Sequence, residues 1–360
     1  MKPNECLFAP AAADMQAHFV DIAGELGIAG DLTMVSRGPF SWVAIDDDGG
    51  AREADVALKL TPTSDPEAAL DESHKRIGLL RELRSHGAQI VDYLEEPRIV
   101  YDPKRMGGYI LTVSRYLPVK GATPFEHGQA VASLHNASLH VDTTDCEEIN
   151  ILEQLASSAH AAEYLEEFRK HGKPFQLGTV EMSPAQIEAY TQYLDEAERL
   201  RRDLFVASKQ KGLPEVIVQE DVHDQNIMRD THGTPIAIDV EGYVGPSAID
   251  FGRPLTDWHQ RFGHPMQYTH DYIAGYDTHV DPRLKPDEEL RHMVSDYTNI
   301  RSSLVFISIA VSRAMERRTK EEWLLSQGLY RLSVINDRNI RWNALDDARK
   351  AALREQQSDG

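Results

Sequence analysis

Between Gln219 and Gly252 the chain reads QEDVHDQNIMRDTHGTPIAIDVEGYVGPSAIDFG. Asp221 and Asn226 lie five residues apart, and Asp239 follows thirteen after the asparagine. Transfer of a phosphoryl group needs one carboxylate to orient the accepting hydroxyl and oxygen ligands that hold magnesium against the phosphates. Asp221 suits the first task; Asn226 and Asp239 suit the second. Each residue alone would read as a turn-former bonding its own backbone. Their joint register argues for a site. A metallohydrolase cluster of Asp221, His223 and Asp224 is the competing reading, but it lacks a second histidine–carboxylate group at ligand spacing.

The surrounding pattern supplies elements that could position these groups. Residues 216–218 form an apolar strand running into a polar loop that holds Asp221. Ile227 and Met228 begin a second short strand, THGT is a turn, and residues 236–238 form a third strand that delivers Asp239. A hairpin thus returns Asp239 toward Asn226.

The stretch resembles the catalytic segment of the aminoglycoside phosphotransferase/choline kinase superfamily, usually H-G-D-x-H-x-x-N followed by I-D-[FW]-E. Asp221-Val222-His223-Asp224-Gln225-Asn226 and Ile238-Asp239-Val240-Glu241 match that form, and Gly245 to Asp250 resembles its later G-x-x-x-x-D. Gln219 and Glu220 stand where the family has histidine and glycine, so the loop backbone is expected to differ. The resemblance implies an α+β, protein-kinase-like fold of two lobes. A small N-terminal nucleotide-binding lobe, 1–117, would have an antiparallel sheet plus a helix, and a larger, mainly helical lobe, 118–360, would bind the acceptor. It makes Asp221 catalytic and Asn226 and Asp239 the metal ligands, with His223, Glu241 and Asp250 in support. The literal D-F-G at Asp250-Phe251-Gly252 lies too far beyond Asn226 to supply the metal acid; in the family Asp250 braces the catalytic loop.

An ATP-binding lobe should precede this segment. Residues 32–43 and 54–60 suggest two strands around a turn of acids and glycines at 46–50. Residues 36–41, with Gly38 and Ser41, would cover the phosphates. Lys59 in V-A-L-K resembles the strand lysine that contacts the α- and β-phosphates. A lysine among apolar strand residues needs a carboxylate partner, and the helix expected over 66–85 offers Glu72. Residues 109–116 form an apolar strand into Leu117-Pro118 that resembles the interlobe hinge, where backbone groups of Arg115 and Leu117 would bond adenine.

Beyond the hinge the pattern is helical. A helix is expected over 125–139, with His135 structural. Ile187 to Leu204 and Met293 to Met315 keep helical apolar spacing, the second as a buried central helix.

Composition narrows the class. With 360 residues, 41% hydrophobic and 27% charged, the chain reads as a soluble globular protein of one two-lobed domain or two ordinary ones. No apolar run is long enough for a membrane span, and the start lacks a cleavable signal. Only Cys6 and Cys146 occur, which fits a reducing cytoplasm. A formal charge of −20 argues against nucleic acid and anionic membranes as partners.

These readings imply an ATP- and Mg²⁺-dependent kinase, with GTP as the alternative nucleotide, acting on a hydroxylated small molecule. Candidate acceptors are an aminoglycoside or other antibiotic, an amino sugar, a sugar or an amino alcohol. Eight acids within 141–170 would attract a cationic acceptor, but a solvated helix face explains them better. Trp258, His259 and Trp323 either stack on a sugar or pack. A protein kinase and a nucleotide-binding pseudokinase regulator are the alternatives; the first lacks an A-P-E segment and an evident activation loop.

Overall fold

A computed structural model describes residues 12–26, 32–37, 42–46, 56–101, 108–117, 121–146, 151–223, 226–256, 265–315 and 322–335. In chain order the elements begin with α1 (Ala12–Leu26), β1 (Leu32–Arg37), β2 (Trp42–Asp46), β3 (Val56–Thr63), α2 (Pro66–Ser85), β4 (Arg98–Tyr101) and β5 (Gly108–Arg115). There follow α3 (Pro124–Ser138), α4 (Ile151–Lys170), β6 (Phe175–Leu177), β7 (Val180–Met182), α5 (Pro184–Gln210) and β8 (Glu215–Ile217). The hairpin β9 (Ile227–Arg229) and β10 (Pro235–Ala237) leads to β11 (Val244–Pro246), a 3-10 turn Ser247–Phe251 and α6 (Gly252–Thr256). Helices α7 (Pro265–His279), α8 (Glu288–Met315) and α9 (Glu322–Ile335) complete the described chain. The class is α+β. No described helix is long and apolar enough to cross a membrane.

The chain divides into two compact units. The first comprises Met1–Ala122 with Ile227–Gly242, and the second Thr123–Asn226 with Tyr243–Gly360. The hairpin that carries the route to Asp239 therefore belongs with the N-terminal elements.

In the first unit five strands form an antiparallel sheet in the order β1-β2-β3-β5-β4. Alternation along β3 decides which side chains enter the core. Leu58 and Leu60 are buried with Ala44, Leu111 and Val113 of neighbouring strands and with Phe19 and Ile22 of α1. Lys59, between the two leucines, points to the other face and pairs in register with Val43 and Thr112. Helix α2 starts where its sequence says it should: the Asp65 side chain accepts from the Ala68 N–H at 3.2 Å, and Pro66 takes the first turn. Its buried stripe is Ser73, Ile77, Leu80 and Leu83. The expected run over 32–43 is two strands, β1 and β2, and β4 is a strand that the sequence pattern does not signal.

The second unit is mainly helical. Thr123 and Glu126 close a capping box at the start of α3, and Ser183 and Gln186 do the same for α5. Helices α3 and α7 approach through glycine. A Cβ on Gly128 would lie 2.2 Å from the Tyr272 carbonyl oxygen, and one on Gly275 would lie 1.9 Å from that of Phe125. This closeness brings His135 of α3 to Tyr276 of α7. Helix α8 buries Leu290, Val294, Tyr297, Leu304, Ile307 and Val311, as its spacing requires. Strands β8 and β11 pair antiparallel, with Ile217 opposite Val244.

Candidate active site

The expected site residues fall into two groups, one in each unit. In the first unit Lys59 and Asp239 form a direct ion pair. The hairpin explains how Asp239 arrives there. Ile227 pairs with Ala237 and Arg229 with Pro235. The Asp230 carboxylate ties off the turn by accepting from the N–H groups of His232 (2.9 Å) and Thr234 (2.8 Å). Ala237 then docks on the segment after α2: its N–H donates to the Gln89 carbonyl (2.7 Å), and its carbonyl accepts from Val91 (2.9 Å). Asp239 itself adopts φ 59°, a left-handed conformation uncommon outside glycine, asparagine and aspartate.

A carboxylate partner for Lys59 is thus present, but Glu72 is not it. Glu72 is exposed on α2, one position off the stripe begun by Ser73, and helical phase turns it away from the sheet. The residue of α2 that reaches the hairpin is Arg76, which pairs with Glu241. Burial lowers the affinity of this guanidinium for its proton, but the Glu241 charge and hydrogen bond outweigh it and its pKa is raised. Burial, opposed by Arg76 and reinforced by Asp239 and Glu241, pushes Tyr93 up to about 12. Neutral Tyr93 and the Arg76–Glu241 pair therefore border the Asp239 segment.

Of the expected adenine contacts, Leu117 is buried, and the Arg115 N–H donates to the Asp92 carbonyl at 2.8 Å. Gly38 and Ser41 lie outside the described residues, as do Trp258 and His259.

In the second unit the loop after β8 gathers Asp221, His223 and Asn226. The Asn226 side-chain N–H₂ donates to the Asp221 carbonyl (3.1 Å) and more weakly to its Oδ2 (3.4 Å), and the Asn226 N–H donates to the His223 carbonyl (3.0 Å). His223 Nε2 lies 3.3 Å from Asp221 Oδ2, and Arg253 of α6 pairs with Asp221 Oδ1. Burial pushes the Asp221 carboxyl up, but the His223 hydrogen bond, the charges of Arg253 and His223, and that of Arg301 together hold it below the ordinary carboxylate value. Asp221 is an oriented anion and a weak base. Arg253 was not anticipated: it lies 32 residues downstream, and no spacing rule links it to the loop.

Behind the loop sits a buried brace. Asp250 accepts from the N–H groups of Gln219 (2.8 Å) and Glu220 (2.5 Å), and His135 Nε2 lies 2.9 Å from its Oδ2. His135 Nδ1 meets the Tyr276 hydroxyl at 2.8 Å, and the Tyr272 hydroxyl donates to the Asp250 carbonyl at 2.9 Å. Glu220 has φ 63° and pairs with Arg301 of α8.

The acids of the 141–170 window behave as a solvated face where described: Glu166 pairs with Arg169 (2.6 Å) and Glu167 with Lys170 (3.0 Å). Trp323 is exposed and lies edge-on to Phe306.

The oxygen donors suit a hard divalent cation. Asp239 offers a carboxylate and Asn226 an amide Oδ1. Magnesium characteristically takes one or two such ligands and completes its shell with phosphate oxygens and water. Among the described residues no group of three or more His, Cys, Asp or Glu side chains could hold a metal by itself.

No protein-family model and no curated protein matches the chain. Solved structures do. An amicoumacin kinase in complex with AMP-PNP, Ca²⁺ and Ami aligns over 91% of this chain and 96% of its own, with TM-score 0.60 and 15% identity. A microcompartment-associated aminopropanol kinase aligns over 88% and 95%, with TM-score 0.55 and 13% identity. An ethanolamine kinase of Plasmodium vivax aligns over 92% and 88%, with TM-score 0.51 and 12% identity. With an antiparallel sheet in one unit and helices in the other, the chain has the fold of these small-molecule kinases.

Proposed function

We propose that the protein is an ATP-dependent phosphotransferase that moves the γ-phosphoryl group to a hydroxyl of a small molecule. The observation that carries this reading is the Lys59–Asp239 ion pair. It joins the strand lysine to the hairpin acid, the two groups that a magnesium–nucleotide complex would require together. The fold, shared with kinases of an antibiotic and of amino alcohols, supports it.

In this reading the division into lobes falls at the segment after residue 117, with the β9–β10 hairpin returned to the nucleotide side. Lys59 would grip the α- and β-phosphates, Asn226 and Asp239 would hold Mg²⁺, and backbone groups of Arg115 and Leu117 would bond adenine. The metal supplies neutralisation of phosphate charge when bound. Asp221 accepts a hydrogen bond from the acceptor hydroxyl and takes its proton late, because a loose transition state needs little base strength. Its main contribution is orientation, which suits a carboxylate fixed by Arg253, His223 and Asn226. Glu241 and Asp250 keep the hairpin and the loop in place.

Incubation with Mg·ATP and a panel of hydroxylated amines and antibiotics (ethanolamine, 1-aminopropan-2-ol, spectinomycin, amicoumacin, aminoglycosides, amino sugars) tests the reading by mass spectrometry. A product heavier by one phosphoryl group is expected. ATP left intact across the panel, together with phosphate on protein substrates, would replace it with a protein kinase.

A further inference from the structure

Glu220 occupies a backbone conformation that disfavours it. At φ 63° an L-residue with a long side chain crowds its own carbonyl, whereas glycine does not. Strain of this kind persists only where the surroundings over-determine it, and it concentrates at working sites. Two attachments hold Glu220. Its N–H donates to Asp250 Oδ1, and its carboxylate pairs with Arg301 on the central helix α8. Only 13% of the Glu220 side chain and 17% of the Arg301 side chain meet solvent. Desolvation consumes most of the attraction in such a sheltered pair, so stability alone is a poor reason to keep it. Position offers a better one. The residue after Glu220 is Asp221, and Arg301 also acts on Asp221 through space.

We propose that Glu220 and Arg301 are a positioning pair that anchors the Asp221 loop to helix α8 and fixes the direction of the Asp221 carboxylate. The pair rests on the phosphotransferase reading for its effect on rate, but not for its effect on the loop. A glutamate here would do by side-chain charge what a glycine at the same place cannot do at all.

Glu220→Gly separates the two roles, because glycine accepts the backbone conformation and deletes the carboxylate. If Glu220 served only the fold, E220G would change stability, as relief of the backbone conformation is set against the loss of Arg301's partner, and would be equally fast. The positioning pair predicts in addition that the folded E220G protein keeps its KM for ATP while kcat falls roughly ten- to a hundredfold from a misplaced acid. Arg301→Met should lower kcat in the same way, and Arg301→Lys should recover part of the loss. Hydrogen exchange of the 219–223 amides, measured on the full chain without any acceptor, should quicken severalfold in both E220G and R301M. Unchanged exchange in E220G, or an unchanged kcat on whichever panel compound the wild type phosphorylates, overturns the pair. A wild type silent toward the whole panel counts against the kinase reading, and the exchange experiment still decides the pair.

Discussion

Lys59 and Asp239, 180 residues apart in sequence, are joined by an ion pair inside one compact unit. Their side chains are 31% and 47% exposed, so solvent screens the attraction. Replacing Lys59 by methionine should therefore cost at most about 1 kcal/mol of stability. Mg·ATP affinity should drop roughly tenfold or more, the scale of a lost charge-assisted hydrogen bond. Thermal denaturation and calorimetry on K59M measure the two effects separately. A large loss of stability with intact nucleotide binding would make the pair structural.

Asp221→Asn retains the shape of the side chain and removes the charge proposed to orient the acceptor hydroxyl. Turnover should fall by about 10²- to 10⁴-fold, the usual range for a positioned acid–base group. Mg·ATP binding should be unaffected, since Asp221 is assigned no contact with nucleotide. Steady-state kinetics and calorimetry on one preparation check both halves.

The same carboxylate makes a pH prediction. Its folded pKa lies below the unfolded value of about 3.9. A depressed carboxylate contributes stability that is present above the unfolded pKa and lost as pH falls through the folded one. Acid denaturation of the wild type should therefore be steeper below about pH 4 than that of D221N. Parallel curves would mean that Arg253 and His223 do not hold the anion.

Asp250 should matter to both fold and rate. It is buried and receives two backbone N–H groups and His135. Asp250→Asn turns an acceptor into a partial donor facing donors, at a cost of about 2–4 kcal/mol. A lower urea midpoint and a lower kcat are expected together. Loss of stability with unchanged kcat would dissociate the brace from Asp221.

Much of this arrangement was legible in the chain because the signals are local. The THGT turn, with an aspartate before it, sets the β9–β10 register, and that register determines where the strand releases Asp239. Helix α2 runs over the span its cap and apolar spacing required. Glu72 is not the partner of Lys59, and helical phase already shows why. The stripe Ile77, Leu80 and Leu83 puts position 73 inward and 72 outward, which rules Glu72 out, while Asp239 reaches Lys59 from a hairpin 180 residues away. Strand β4 escaped because four residues between prolines show too little alternation. Arg253 and Arg301 have no local signal: both reach the loop through helix packing, which a linear pattern does not encode.

The central proposal is that the loop asparagine Asn226 and the hairpin aspartate Asp239 are each ligands for the magnesium of Mg·ATP. Calorimetric titration of Mg·ATP into the wild type, Asn226→Ala and Asp239→Asn tests it most directly. Binding by the wild type, with weakening in both variants that is relieved when Mg²⁺ is omitted from all three, is the expected result. An N226A protein that binds Mg·ATP as tightly as the wild type, while D239N does not, would contradict it.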